Sequence, residues 1–416
     1  MGQVTSPRRV IRQASAAARF ASSLYSQRAV LAYHGYWNHD PMALLFLRPG
    51  RADPYPLYET IRARGPLVPT RLGNLMSTNH AVCNELLRDR RMGHPDGGET
   101  IAGLSFLEMN PPDHTRLRKI AAPAFSPRKM AGYTELIEKS VNALVDDLPT
   151  RGAFDLVPTL AAPLPIAVIS DLLGIPHKHI DEFQRYGATI GSALDGVKSM
   201  WHLRQLMTAN AALERIFTEL FELRRRDPSD DVISAIVAAE QIEPHELVPL
   251  CTLLLIAGFE TTVNLISNGV LNLLDHPDQW QLLRADPTLA AGTVEEVLRF
   301  DPPVQRTGRI ALETHTVAGH EVRRGQFVAI LIGGANRDPD VYADPSSFDI
   351  TREQLVEHMA FSSGIHYCLG APLARLEATV ALRVIAERLP TLRRAGRVVH
   401  RNAATIRGPL HLPMAL

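Results

Sequence analysis

Phe361-Ser-Ser-Gly364-Ile-His366-Tyr-Cys368-Leu-Gly370 stands directly ahead of a helix-favouring run, Ala371 to Arg388. Gly364 and Gly370 bracket a cysteine that a tight turn would project just before the helix begins, where unpaired backbone N–H groups point back at it. The partial positive charge of a helix N-terminus lowers a cysteine pKa, so this is a place to hold a thiolate. Such a thiolate serves as a metal ligand or as a nucleophile, and an inert buried thiol shows the same residue pattern.

The composition around this stretch is that of a globular protein: 416 residues, 45% hydrophobic and 21% charged, with 44 basic residues balancing 44 acidic ones. No polyanion is implied as a partner, so nucleic acid is not expected. Length alone suggests more than one domain, but no linker-like stretch divides the chain. Cys83, Cys251 and Cys368 are odd in number and far apart, which leaves neither a disulfide framework nor a Cys-x-x-Cys zinc site and fits a reducing, cytoplasmic compartment. The apolar run from Pro249 ends at Glu260, short of the ~20 residues that span a bilayer, so no transmembrane segment is expected.

The first 39 residues carry five arginines (Arg8, Arg9, Arg12, Arg19, Arg28) and no acidic residue. That composition is similar to a transit peptide or a surface-lying amphipathic helix; the alternative is an extra helix packed through Val10, Ala14, Ala17, Ala21 and Leu24 at helical spacing. Residues 1–52 are set apart as an N-terminal extension with an amphipathic helix, ahead of a single domain over 53–416.

Periodicity and turn signals predict a mainly α chain with a minor β part. Asp53-Pro54 caps a helix to about Arg64, and Gly73-Asn74 centres a short hairpin over 66–77. A helix follows over 80–87, then an irregular segment from Arg88 to Pro112, long enough to suggest function. Helices are expected at about 113–122, 127–148, 160–173, 177–190, 200–226 and 230–240. The longest runs from Pro244 to Asp275, roughly 48 Å at helical rise, with an apolar middle that implies burial. A helix over 288–300 stops at Asp301-Pro302-Pro303. Short strands near 306–311, 316–322 and 326–332, a proline-punctuated meander over 336–348, a last helix over 369–389 and closing strands complete the chain.

Three further patterns carry chemistry. In the long helix, Thr261 follows Ala257 by four residues and Gly258 by three, so these small groups and a hydroxyl share one face, where a flat ligand could approach; Glu260 lies beside them. The threonine hydroxyl can bond back to the i−4 carbonyl and open the backbone there. Read by itself, an Ala-Gly pair is more often a helix-packing contact, and a glutamate there more often a solvated or paired charge. Glu296 and Arg299 are an i, i+3 ion pair, exposed or buried. His114 and Arg118 place two donors at i, i+4 on a helix that begins after Pro111-Pro112.

Phe361, Gly364, His366, Cys368 and Gly370 together resemble the haem-binding loop of the cytochrome P450 family, and the other patterns fall in that family's order from about residue 53 to the end. The resemblance implies a single helical fold with haem b (iron protoporphyrin IX) between the long helix and the cysteine loop. It makes Cys368 the axial ligand of the iron, Phe361 a packing residue under the ring, and His114, Arg118, Arg309 and His366 donors to the two propionates. Ala257 and Gly258 border the ring, and Gly370 lies beside the thiolate. Thr261 and Glu260 become an alcohol–acid pair that relays protons for O₂ cleavage. Glu296 and Arg299 are structural, with Arg352 or Arg337 as third partner. Ser362 and Ser363 stand where many relatives carry glycine.

The activity implied is a soluble, monomeric bacterial-type monooxygenase that hydroxylates or epoxidises a hydrophobic small molecule, such as a lipid, sterol or terpenoid. No flavin or nicotinamide domain is legible, so a separate ferredoxin and ferredoxin reductase are the expected electron donors, with Arg116, Arg352 and Arg375 as docking points. Leu253, Leu254, Ala257, Val304 and the segment Arg407-Gly408-Pro409 are expected to wall the pocket, with the 88–112 loop and a 177–205 lid above. A peroxide-driven haem-thiolate enzyme and a haem-binding sensor or carrier without turnover are the alternatives.

Overall fold

The computed structural model describes residues 7–95, 105–149, 151–353 and 356–416, with side chains from residue 18 onward. The architecture is mainly α with small sheets. A central helix, Pro244–Asp275, starts with a capping box in which Glu243 and Glu246 satisfy each other's backbone N–H groups, with Pro244 in its first turn. Almost every side chain from Leu250 to Leu273 is buried, against the helices Pro163–Leu173, Ile180–Gly191, Ala290–Phe300 and Ala371–Arg388. Each leucine or isoleucine so buried contributes about 1.5–3 kcal/mol, which makes this helix the axis of the core. It is also the one helix among the described residues long and apolar enough to cross a membrane, and 83% of its apolar window is buried inside the protein.

The largest sheet has five short strands in the order Val68–Pro69, Leu75–Ser77, Phe327–Ile330, Thr307–Ala311, Met92–Gly93. Its one parallel pairing, Leu75–Ser77 with Phe327–Ile330, joins segments some 250 residues apart, which no local signal could anticipate. The sheet matters to the site because it aims Arg309, on Thr307–Ala311, toward the middle of the protein.

Several boundaries differ from the sequence expectation. The helix expected from Leu160 is a wide turn, Val157–Ala161, followed by a helix that begins at Pro163, because Pro163 and Pro165 have no N–H to donate and fit only a first turn. The helix expected over 230–240 is Val232–Val237, capped by Asp231, which accepts from Ser234 N at 2.7 Å; no side chain from Ala238 to Glu240 is buried.

The extension also ends earlier than expected. The helix Pro7–Ala32 contains no fully buried described side chain. From Asp40, which caps the helix Pro41–Phe46, the chain already belongs to the body: Met42 and Leu45 share a core cluster with Tyr58, Ile61, Val68 and Met76. Residues 40–52 are therefore part of the domain.

Candidate functional site

The turn that presents Cys368 is built from two positive-φ residues, Ser362 (φ 64°, ψ −164°) and Gly364 (φ 68°). Gly364 has no alternative, since an added Cβ would lie 2.6 Å from Leu87 O. Ser363 Oγ bonds Asn84 Oδ1 at 2.9 Å, and Cys368 N donates to Phe361 O at 2.8 Å, closing the loop. Gly370 differs: its φ is −84°, and an added Cβ would meet only Phe125, at 3.7 Å, so the fold itself does not require glycine there.

The backbone N–H groups of Gly370 and Ala371 lower the pKa of the Cys368 thiol. They do not by themselves produce a thiolate. Burial pushes the thiol pKa up, and the two N–H groups with Arg118 and Arg375 only partly offset it. A charged sulfur here requires a metal cation beside it. Phe361 is buried under this turn, with the Arg375 guanidinium 4.5 Å from its ring centroid.

On the central helix, Thr261 Oγ1 bonds back to Ala257 O at 2.8 Å; Ala257 is exposed and Thr261 half-buried on that face. Gly258, expected on the same face, is a packing residue: an added Cβ would lie 2.9 Å from Ile169 Cδ1 on the helix Pro163–Leu173. Glu260 is almost wholly buried and turns to the other side. Its Oε1 accepts from Arg401 Nη1, while Arg401 Nε donates to Asn264 Oδ1 at 3.1 Å and Asn264 Nδ2 donates to Glu260 O at 2.7 Å. Glu260 Oε2 is buried and has no hydrogen-bond partner. Burial raises its pKa although Arg401 pulls the other way.

Four donors from distant parts of the chain converge near the cysteine. The helix Asp113–Ala121 brings His114 and Arg118, the sheet brings Arg309, and the turn Gly364–His366 brings His366. The His114 and His366 rings are 4.3 Å apart, and Arg118 Nη2 donates to Tyr367 O at 2.6 Å. A fifth member, His94, was not singled out from sequence. Its ring is 5.0 Å from His366, and its backbone is held by Asn110, which accepts from His94 N at 2.9 Å and donates to His94 O at 2.8 Å. Its only sequence signal is a histidine inside the irregular 88–112 segment.

Burial, then the neighbouring cations, hold these imidazoles neutral, with His366 pushed down to about 2, His94 to about 4 and His114 also lowered. Burial alone brings Arg309 down to about 10. The salt bridges of the described residues include neither Arg118 nor Arg309, and both His114 ring nitrogens and His94 Nε2 are buried without a partner. Buried donors left unpaired are costly, and a ligand bringing two carboxylates would satisfy them. Among the described residues no group of three His, Cys, Asp or Glu side chains could hold a metal unaided, so a single thiolate needs a macrocycle to complete the coordination.

Behind the loop, Glu296 and Arg299 are fully buried and bidentate, at 2.7 Å for each bond. Arg299 also donates to the carbonyls of Asn336, Pro345 and Ser347. The third partner is Arg352, whose Nε lies 3.3 Å from Glu296 Oε1; Arg337 instead donates to Phe300 O. Asn336 Oδ1 accepts from Met359 N at 2.7 Å, which ties this buried pair to the start of the cysteine turn.

Known proteins share this fold. A family model described as Cytochrome P450 matches residues 88–389. The putative cytochrome P450 140 of Mycobacterium tuberculosis is 37% identical over 406 residues, 91% of this chain and 92% of that one. Among solved structures, ligand-free CYP164A2 of Mycobacterium smegmatis superposes with a TM-score of 0.84 at 38% identity, covering 90% of this chain and 99% of that one. P450BioI, solved in complex with an acyl carrier protein ligated to hexadec-9Z-enoic acid, superposes with a TM-score of 0.82 at 34% identity over 88% of this chain and 98% of that one. The cofactor of such proteins is haem b, iron protoporphyrin IX, whose iron and two propionates suit one thiol and a cluster of two arginines and three neutral histidines. Matched over nine-tenths of its length in sequence and in fold, the chain belongs to the cytochrome P450 family.

Proposed function

We propose that this cytochrome P450 monooxygenase inserts one oxygen atom of O₂ into a hydrophobic small molecule of the lipid, sterol or terpenoid class, as a cytoplasmic monomer that takes electrons from a separate ferredoxin and its reductase. The observation that carries the assignment of the site is the largely buried cluster of His94, His114, Arg118, Arg309 and His366, which has no salt bridge to a carboxylate among the described residues, directly beside Cys368. Haem b bound there supplies O₂ binding and O–O cleavage, which an axial thiolate favours.

The chain's residues would serve a bound haem as follows. Cys368 would ligate the iron, with the N–H groups of Gly370 and Ala371 tempering its charge. His114, Arg118, Arg309 and His366, with His94 added, would hold the propionates. On the central helix, the exposed Ala257 would leave room for substrate and O₂, and Thr261 would present its hydroxyl there. Glu260, its pKa raised by burial, is suited to give and take protons. Such a relay serves O₂ rather than hydrogen peroxide, which favours the reductase-driven reading over a peroxygenase.

The arginines suggested as docking points are less available than the sequence implied. Arg116 pairs with Glu246 and Asp113, Arg352 with Glu296, and Arg375 with Glu295. A redox partner that docks here would meet charges already compensated within the chain.

The test begins with the reduced carbon monoxide complex of the haem-loaded protein, which is expected to show the red-shifted thiolate band. Cys368→Ala should abolish it, and its persistence would refute the ligand assignment. Titration with a panel of fatty acids, branched lipids, sterols and terpenoids, scored by displacement of water from the ferric protein, then gives the substrate class. Fatty acids come first in that panel because P450BioI was solved with a fatty-acyl carrier protein.

A further inference from the structure

Residues 401–405 touch two functional parts at once. Arg401 holds the Glu260 carboxylate and Asn264 on the central helix. Three residues on, Ala404 N and Thr405 N donate to Asp195 Oδ1 at 2.8 and 2.6 Å. Asp195 ends the turn Ser192–Asp195 that links the two lid helices, Ile180–Gly191 and Met200–Arg226. Lys198 Nζ reaches Asn402 O at 3.5 Å from the same lid segment. The segment is rigid in itself: His202 Nδ1 accepts from Lys198 N at 2.9 Å, and His202 Nε2 lies 2.7 Å from Ser192 Oγ. Gly191, at the end of the first lid helix, passes so close to Glu260 that an added Cβ would sit 3.5 Å from its Cγ.

We infer that the 401–405 loop couples closure of the lid to the placement of the Glu260 carboxyl, with Arg401 as a positioning residue. With the lid down, Asp195 accepts from two loop amides, the loop is fixed, and Arg401 occupies Glu260 Oε1. The buried, unpartnered Oε2 is then the one oxygen of the acid free to handle a proton. With the lid up, Ala404 and Thr405 lose their charged acceptor. Thr405 stays tied to the body through Gln305 N, at 2.8 Å to Thr405 O, and Arg401 N donates to Gly408 O at 3.1 Å, so the part released is Asn402–Ala404, and the Arg401 side chain loses the fixed loop that aims its guanidinium at Glu260. Protons would then be offered in the right geometry only while the pocket is covered. The inference rests on the reading of Glu260 as proton relay.

The charged groups that face Glu260 are Arg401, Asp195 and Lys198. They give a test in which the two explanations differ in sign. Burial is the largest cause of the raised Glu260 pKa; of the charges, Arg401 lowers it and Asp195 raises it. Removing Asp195 as a mere charge would therefore lower the Glu260 pKa, whereas releasing the loop, and Arg401 with it, raises it. The measurement is the pH dependence of the protonated carboxyl infrared band that Glu260→Gln deletes, in the ferric haem-loaded protein.

Arg401→Gln is expected to raise the midpoint by about one unit or more. Asp195→Ala and Asp195→Asn should raise it as well, and neither should move it further in an Arg401→Gln background. The best-binding compound of the panel should leave the Asp195 variants about tenfold faster, since two hydrogen bonds to a charged acceptor are gone. A fall or no change in the midpoint of the Asp195 variants, or shifts that add to that of Arg401→Gln, would overturn the coupling. The relay itself is read separately, from peroxide released per O₂ consumed by Glu260→Gln with the best-binding compound of the panel. An unchanged ratio there would sink the reading beneath the inference, whatever the titration gives.

Discussion

Ser362→Gly should stabilise the haem-binding loop. Ser362 sits at φ 64°, ψ −164°, a backbone region open in practice only to glycine, and holding another residue there costs about 1–3 kcal/mol. Its hydroxyl is buried without a partner, a further cost of about 1–3 kcal/mol. The turn cannot relax, because Ser363 is bonded to Asn84 and Gly364 lies against Leu87 O. Against these gains, glycine in the unfolded chain costs about 0.5–1 kcal/mol. The net expectation is roughly 1–5 kcal/mol of stabilisation, at the low end if water reaches the hydroxyl. At ~2.1 cal/mol/K per residue the unfolding entropy of the chain is about 0.9 kcal/mol/K, so Tm should rise by roughly 1–6 °C. Calorimetry of the haem-loaded protein at several scan rates, with urea midpoints alongside, measures it. Ser362→Ala separates the two contributions, because it deletes the hydroxyl and keeps the strain. A lower midpoint for Ser362→Gly would refute the argument.

Arg309→Leu should speed haem release by about tenfold or more, followed by transfer to apomyoglobin, because a charge-assisted bond of about 1.5–3 kcal/mol is lost. The same change should leave the haem-free protein as stable or more so in urea, since a buried cation with no ion-pair partner is removed. Arg299→Leu leaves Glu296 buried and only partly compensated, at a cost of about 3–5 kcal/mol, seen as a lower yield of haem-loaded protein; Arg299→Lys should not restore it, since the fork that spans both carboxylate oxygens is lost. Burial pulls the Glu295 carboxyl up, but hydrogen bonds from His358 and Arg375 outweigh it and hold the pKa at about 2, below the ordinary 4.5. Its contribution to stability is therefore complete above about pH 4.5 and lost as the pH falls toward 2. Glu295→Gln should raise the pH of acid unfolding, followed by the haem absorbance, and should change little at pH 2.

What the sequence made legible was local. The cysteine turn, the Glu296–Arg299 pair and the His114–Arg118 pair each lie within a few residues, so spacing alone brings their side chains together. What it left open was settled by contacts between distant segments. Arg352 rather than Arg337 reaches Glu296 because Asp349 N also donates to that carboxylate, at 3.0 Å, and draws the meander in beside it. Gly258 falls near Ala257 on a helical projection, but Ile169, from another helix, decides that it packs. The role of the helix end was overstated for a further reason. Two N–H groups at Cys368 are a local feature, whereas the burial that outweighs them is a property of the whole fold. Glu260 is the sharpest case. Its place beside Thr261 is written in the chain, yet what controls it is Arg401, 141 residues away on an irregular loop with no periodicity to read. A proton relay assigned from adjacent residues thus depends on a partner that only the folded loop supplies. Any relative that keeps the acid but lacks an arginine at that point in space must hold its carboxyl by other means.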